Sequence, residues 1–311
     1  MSTQPADINC PVRPGESFTA RTLRLSVRAA SALQQFQPAP AVDPDELEKP
    51  EEDPPTTTRG MLLVRLEAES ALPILETGNG DDWYAATRFG IAGTIDAIAG
   101  GTRGFDVGDR VFGVTTTRPG SPDNQLVVVE ASRMARLPSR LDAIEAASAA
   151  LVGTSAWQML FKIGRIEANE TVLVLGADTV IGAFAVQLAA VHGVRTIALA
   201  RSPASERELL LLGAHRVIDA TPGSLETHCR LASLVVDTAG GALYRRAAAS
   251  IQSGCTLVSC VERPDVFTAA RRGTRSLFCV PDATTHCLAR LAALIDEAIL
   301  TTRTIASGVG S

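Results

Sequence analysis

From Thr171 onward the chain alternates short apolar runs with helical stretches, and this alternation constrains its fold more than any other feature. Strands are expected at Thr171–Leu175 (TVLVL), Thr196–Ala200 (TIALA), Arg216–Ile218, Leu234–Asp237 and Thr256–Ser259. Helical stretches fall between them at Gly182–His192, Ser205–Leu212 and Ala242–Ser250. Parallel strands need crossover connections, so this spacing implies a doubly wound parallel sheet and an α/β fold. The preceding part reads differently. Met61–Leu66, Gly90–Ala99 and Gln125–Val129 are β-rich runs, and GFDVGDRVFG (104–113) is a turn entering a strand. A further short strand is expected at Arg21–Val27. DAIEAASAALVGTSAWQMLFKIG, from Asp142, reads as two helices broken near Gly153. The expected organisation is a mostly β domain over residues 1–140, to which 296–311 return, and a parallel-sheet domain over 141–295.

Residues 1–20 read as a polar, poorly ordered start. Gln37–Thr58 hold six prolines and seven acidic residues, a composition expected of a solvated linker or loop with nothing to bury. A net charge of −5 provides no basic footprint for nucleic acid. The first ten residues lack the basic and apolar regions of a secretory signal, and no stretch approaches the roughly 18 apolar residues of a membrane span. The expectation is a cytoplasmic protein acting on a small-molecule substrate, with its six scattered cysteines reduced and mostly buried.

TVLVLGADTVIGAFAVQLAAVHGV (171–194) is the most informative segment. A buried strand runs directly into Gly176–Gly182 and then into an Ala-rich helix. Such a turn offers helix N–H groups and the positive end of the helix dipole to a dinucleotide pyrophosphate. The G-x-G-x-x-G fingerprint aligns as Ala177-x-Thr179-x-x-Gly182. It retains the glycine needed for close helix–strand packing and places Thr179, followed by Val180 and Ile181, where backbone meets phosphate. About twenty residues on, the next strand ends in Ala200-Arg201-Ser202. An acidic residue there would accept from the ribose 2′-hydroxyl of NAD; Arg201 and Ser202 favour the 2′-phosphate of NADPH.

Over about three-quarters of its length the chain resembles the zinc-free quinone-oxidoreductase and enoyl-reductase branch of the medium-chain dehydrogenase/reductase superfamily. The matching words include GFDVGDRVFG (104–113), GTSAWQMLFKIGRIEANETVLVLGA (153–177), AVQLAAVHGVRTIALARS (185–202), LLGAHRVIDA (211–220), VVDTAGG (235–241) and SGCTLVS (253–259). The resemblance implies a GroES-like catalytic domain, a Rossmann-type domain binding NADPH, and hydride transfer to a quinone, enone or enoyl thioester. It implies a cofactor site of Gly176, Ala177, Thr179, Val180, Ile181, Gly182, Arg201, Ser202, Asp237 and Thr238. Tyr84 falls near a catalytic tyrosine of some relatives, with packing beside Trp83 as its other reading. Ser155 aligns with a threonine near the nicotinamide, and is otherwise the N-cap of a helix beginning near Ala156. Relatives pair through an edge strand, here Ser276–Val280, which implies a homodimer.

No metal site is expected. Residues 1–191 contain no histidine and one cysteine, Cys10, too few for a tetrahedral zinc site in the first domain. Two other functions stand beside the reductase. The fingerprint has lost two glycines, and the family's G-[HSD]-[ED]-x-x-G word appears as Arg88–Gly93 without its acid. These losses fit a catalytically silent binding or assembly module, or a non-redox enzyme reusing the cleft.

Overall fold

The computed structural model describes residues 60–77, 83–100, 102–116 and 126–302, without the side chains of 73–77, 83–86 and 203. The expected strand at Arg21–Val27, the 37–58 linker, Cys10 and the Tyr84 side chain lie outside the described residues.

Five antiparallel strands form the first sheet: β1 (Met61–Thr77), β2 (Trp83–Ile98), β3 (Arg110–Thr115), β4 (Leu126–Glu130) and β5 (Met134–Arg136), in the order β4-β1-β2-β3-β5. The runs expected at 61–66 and 90–99 are parts of one long hairpin, in register from Leu62↔Ile98 to Thr77↔Trp83. Two irregularities, at Leu63/Val64 and Leu66/Ala68, shift its pairing. Its inward residues Leu62, Val64, Ile91 and Ile95 meet Val111 and Met134 in a separate apolar cluster.

Helix α1 (Ala143–Trp157) begins with a reciprocal cap. Asp142 accepts from the Glu145 N–H at 2.8 Å, and Glu145 accepts from the Asp142 N–H at 3.3 Å. The break expected near Gly153 is not there: the helix continues through it into a π-helical turn at Gln158–Ile163. Gly153 serves packing instead, since a Cβ there would lie 2.8 Å from Leu291 Cδ1. At Gly90, a Cβ would lie 2.0 Å from the Ala147 carbonyl, so only glycine lets α1 sit on β2 this closely. Ala92, Phe112 and Val114 of the antiparallel sheet thereby share one core with Ala147, Leu151, Val174 and Phe184.

The second sheet contains β6 (Thr171–Leu175), β7 (Arg195–Leu199), β8 (Arg216–Ile218), β9 (Leu234–Asp237), β10 (Thr256–Ser259) and β11 (Arg275–Phe278). All its pairs are parallel, in the order β11-β10-β9-β6-β7-β8. Every residue of β6 and β9 is buried, which explains their unbroken apolar runs. The crossovers carry α2 (Val180–Val191), α3 (Glu206–Leu211), α4 (Ser224–Cys229), α5 (Gly241–Ser250) and α6 (Val266–Arg271), and α7 (Thr285–Asp296) follows β11. Helix α7 is tied back to the β5–α1 connection, where Ser139 Oγ donates to Asp296 at 2.8 Å and Arg140 Nε donates to the Asp296 carbonyl at 2.8 Å. Thr301 pairs with Gln187 of α2; most of 296–311 lies outside the described residues. Among the described residues, no helix is long and apolar enough to cross a membrane.

Candidate cofactor site at the centre of the parallel sheet

The chain leaves β6 in one direction across the sheet and resumes at β9 in the other, so strand order reverses between these neighbours. In open α/β sheets this switch point opens a crevice outside the carboxyl ends of the strands, where ligands bind. The two loops bordering it are Gly176–Thr179 after β6 and Thr238–Gly240 after β9, both expected from the sequence.

These loops are joined by a chain of hydroxyls. The Thr238 hydroxyl lies 2.9 Å from the carbonyls of both Leu175 and Gly176, and 2.8 Å from the Thr179 hydroxyl. With its proton directed to the carbonyls, Thr238 accepts from Thr179. Thr179 is the N-cap of α2 and accepts from the Gly182 N–H at 3.0 Å. Its side chain therefore turns back onto the helix instead of standing over the turn. Gly176 takes φ +69°, and a Cβ on Gly182 would lie 2.2 Å from the Gly176 carbonyl, so the retained glycine is what allows the turn to close.

The residues present fit a dinucleotide. The N–H groups of Val180 and Ile181, at the first turn of α2, meet no acceptor among the described residues; Thr179 has taken Gly182's. Ala177 is fully buried, and its N–H is spent on Leu199, locking the turn to β7 at 3.0 Å.

Asp237 supports the turn from beneath. It is fully buried, and its carboxylate accepts from the N–H groups of Ala239 (3.1 Å) and Gly240 (2.9 Å) and from the Ser259 hydroxyl (2.7 Å). Burial pushes its carboxyl above the ordinary range, against the pull of these three donors. Ser259 in turn accepts from Val261 and Glu262, and Glu262 accepts from the Gly241 N–H at 2.7 Å. Both loops at the switch point are thus held in place before any ligand arrives.

Arg201 and Ser202 lie where β7 ends, but Arg201 is engaged. Asp178, the unassigned residue of the fingerprint, accepts from the Arg201 N–H at 3.1 Å and from its Nε at 3.2 Å. Ser202 Oγ accepts from Ala204. Beside them opens a cavity of about 730 Å³ at the ends of β7 and β8, whose wall includes Arg201, Ser202, Glu206, Arg216, Asp219 and His228. Ser155 is neither exposed nor an N-cap. It lies in the last turn of α1, fully buried, and its hydroxyl donates to Leu151 at 2.7 Å, which corrects the capping expectation.

The five cysteines among the described residues are free and buried, and burial pushes Cys229, Cys255, Cys279 and Cys287 up to about 12. Among the described residues no group of three or more His, Cys, Asp or Glu could hold a metal ion.

No family model matches the chain. It is 29% identical to the quinone oxidoreductase of Pongo abelii over 156 residues, half of this chain and 44% of that protein. It is 27% identical to the mitochondrial NAD(P)H oxidoreductase RTN4IP1 of Mus musculus over 198 residues, 61% of this chain and 50% of that one. The chain thus spans half or less of the length of these relatives. Its fold is that of the Escherichia coli quinone oxidoreductase, solved with NADPH: the TM-score is 0.60 at 17% identity, covering 86% of this chain and 89% of that one.

Proposed function

We propose that this chain, a quinone-oxidoreductase-like protein with the medium-chain dehydrogenase/reductase fold, binds a nicotinamide dinucleotide and transfers its hydride to a quinone. The observation that carries this reading is the pre-held turn at the switch point, with Val180 and Ile181 N–H groups that meet no acceptor among the described residues and a closed Gly176–Gly182 contact. The bound dinucleotide supplies the hydride. The chain's own residues bind and orient it: Val180 and Ile181 through backbone N–H groups and the α2 dipole, Thr238 and Thr179 by fixing the shape of the turn, and Asp237 by fixing the loop across from it. Arg201 and Ser202 support NADPH by residue type; whether the 2′-position is a phosphate or a hydroxyl depends on what Arg201 is free to do. Ser155 and Tyr84 stay candidates for the acceptor side, Ser155 only if its hydroxyl leaves Leu151.

A turnover assay tests this. The purified chain should oxidise NADH or NADPH when a small 1,4-quinone is added, with enones and enoyl thioesters tried in parallel as acceptors. Cofactor binding without turnover on any acceptor would leave a dinucleotide-binding module and remove the reductase.

A further inference from the structure

We infer that Asp178 sets the cofactor preference of this site, directing it to the dinucleotide with a free ribose 2′-hydroxyl. The inference rests on the dinucleotide reading of the switch-point turn and names which form of the cofactor it takes.

In the Rossmann arrangement, the residue at the end of the second strand meets the adenosine ribose. A carboxylate there accepts from the 2′-hydroxyl, and an arginine accommodates a 2′-phosphate. The second strand here is β7, and it leads into Arg201, which from residue type alone reads as the phosphate form. The fold changes that reading. Asp178 reaches across from the glycine loop and takes both the Arg201 backbone N–H, at 3.1 Å, and the Arg201 Nε, at 3.2 Å. A carboxylate therefore stands at the strand-end position after all, supplied from the other loop.

Two consequences follow. The guanidinium is held on its Nε side and its charge is balanced by a neighbour whose side chain is only 10% exposed, against 58% for the arginine. The surroundings do not restore positive charge. Along the cavity wall the two guanidinium groups, Arg201 and Arg216, are matched by two carboxylates, Glu206 and Asp219, and Asp178 pairs with Arg201 from outside that wall. Asp219 is itself held ionised by the Thr221 hydroxyl and N–H. A 2′-phosphate, carrying close to two negative charges, would meet a wall whose guanidinium groups are already matched by carboxylates, with Arg201 paired to Asp178 besides. A 2′-hydroxyl would instead find in Asp178 a carboxyl oxygen placed to accept.

The test is direct titration of the full chain with NADH and NADPH, for the wild type, D178N and R201A, with circular dichroism to show that each is folded. The wild type should bind NADH more tightly. D178N keeps the size of the side chain, removes the charge and releases Arg201, so the ratio of NADPH to NADH dissociation constants should fall by about 10- to 100-fold, the worth of a hydrogen bond to a charged group. R201A should leave the NADPH constant nearly unchanged, because the arginine is already engaged; should D178N not fold, this variant decides. A wild type that prefers NADPH, a ratio unmoved by D178N, or a large NADPH loss in R201A would overturn the inference while leaving the dinucleotide site intact. Failure of both cofactors to bind folded wild-type chain would overturn the site itself and the inference with it.

Discussion

Asp237 illustrates how much of the site depends on single side chains. Its carboxylate serves three donors in a fully buried position. Replacement by alanine strands the Ala239 and Gly240 N–H groups and the Ser259 hydroxyl, and D237A should lose about 2–4 kcal/mol of stability in urea denaturation. Its titration has a definite sign. The folded value lies above the ordinary 3.8, so this group's contribution is fully present below 3.8 and is lost as pH rises through the raised value. Between those limits wild-type stability should decline with rising pH relative to D237N, which has no proton to lose there; equal slopes would contradict the burial argument. Residue roles were only partly legible beforehand. The resemblance points to Asp237 and Thr238 as cofactor contacts; in the folded chain Asp237 holds the loop after β9 and Thr238 the turn after β6. Asp178 went unassigned because it is a variable position of the fingerprint, and its partner lies 23 residues away across a strand pairing that only the folded sheet provides.

At the level of elements, the parallel strands were the most legible. β6, β8, β9 and β10 fall on the expected residues; β6, β9 and β10 are buried along their whole length, which favours apolar runs, whereas β8 is a half-exposed edge strand. The short helices α4 (SLETHC) and α6 (VFTAAR) carry no sequence signal: six residues show no helical period, and neither has the run of strong helix formers that marks the equally short α3 (ERELLL). At Gly153 the sequence suggests a break that the folded helix does not have. Glycine lowers helix propensity, but α7 packs against α1 there and tertiary contact overrides the preference. The β6–α2 turn is where an element-scale prediction is sharpest. In G182A the new Cβ would collide with the Gly176 carbonyl, so the turn must open. The variant should lose about 1–3 kcal/mol of stability, and its dinucleotide affinity should fall more than that of a G153A control. Equal affinities would show that the turn does not form the site.

Across the whole molecule, the two-sheet architecture followed from periodicity. The way α1 joins the sheets did not, since it depends on Gly90 meeting the Ala147 carbonyl, a contact between distant parts of the chain. Strand β11 is one of the two edges of the parallel sheet among the described residues, β8 being the other, and Ser276 turns inward to the Tyr244 hydroxyl at 2.9 Å. We propose that two copies pair along this edge, which would cover its open backbone groups. Light scattering at micromolar concentration should then report a dimer, and a monomer would remove the proposal. The central claim is that the switch-point crevice takes a nicotinamide dinucleotide. Its most direct test is calorimetric titration of the folded chain with NADH and with NADPH. The expected result is saturable binding at a single site per chain in the micromolar range, lost in G182A. Absence of heat and of competition with either cofactor, in a chain shown to be folded, would contradict it.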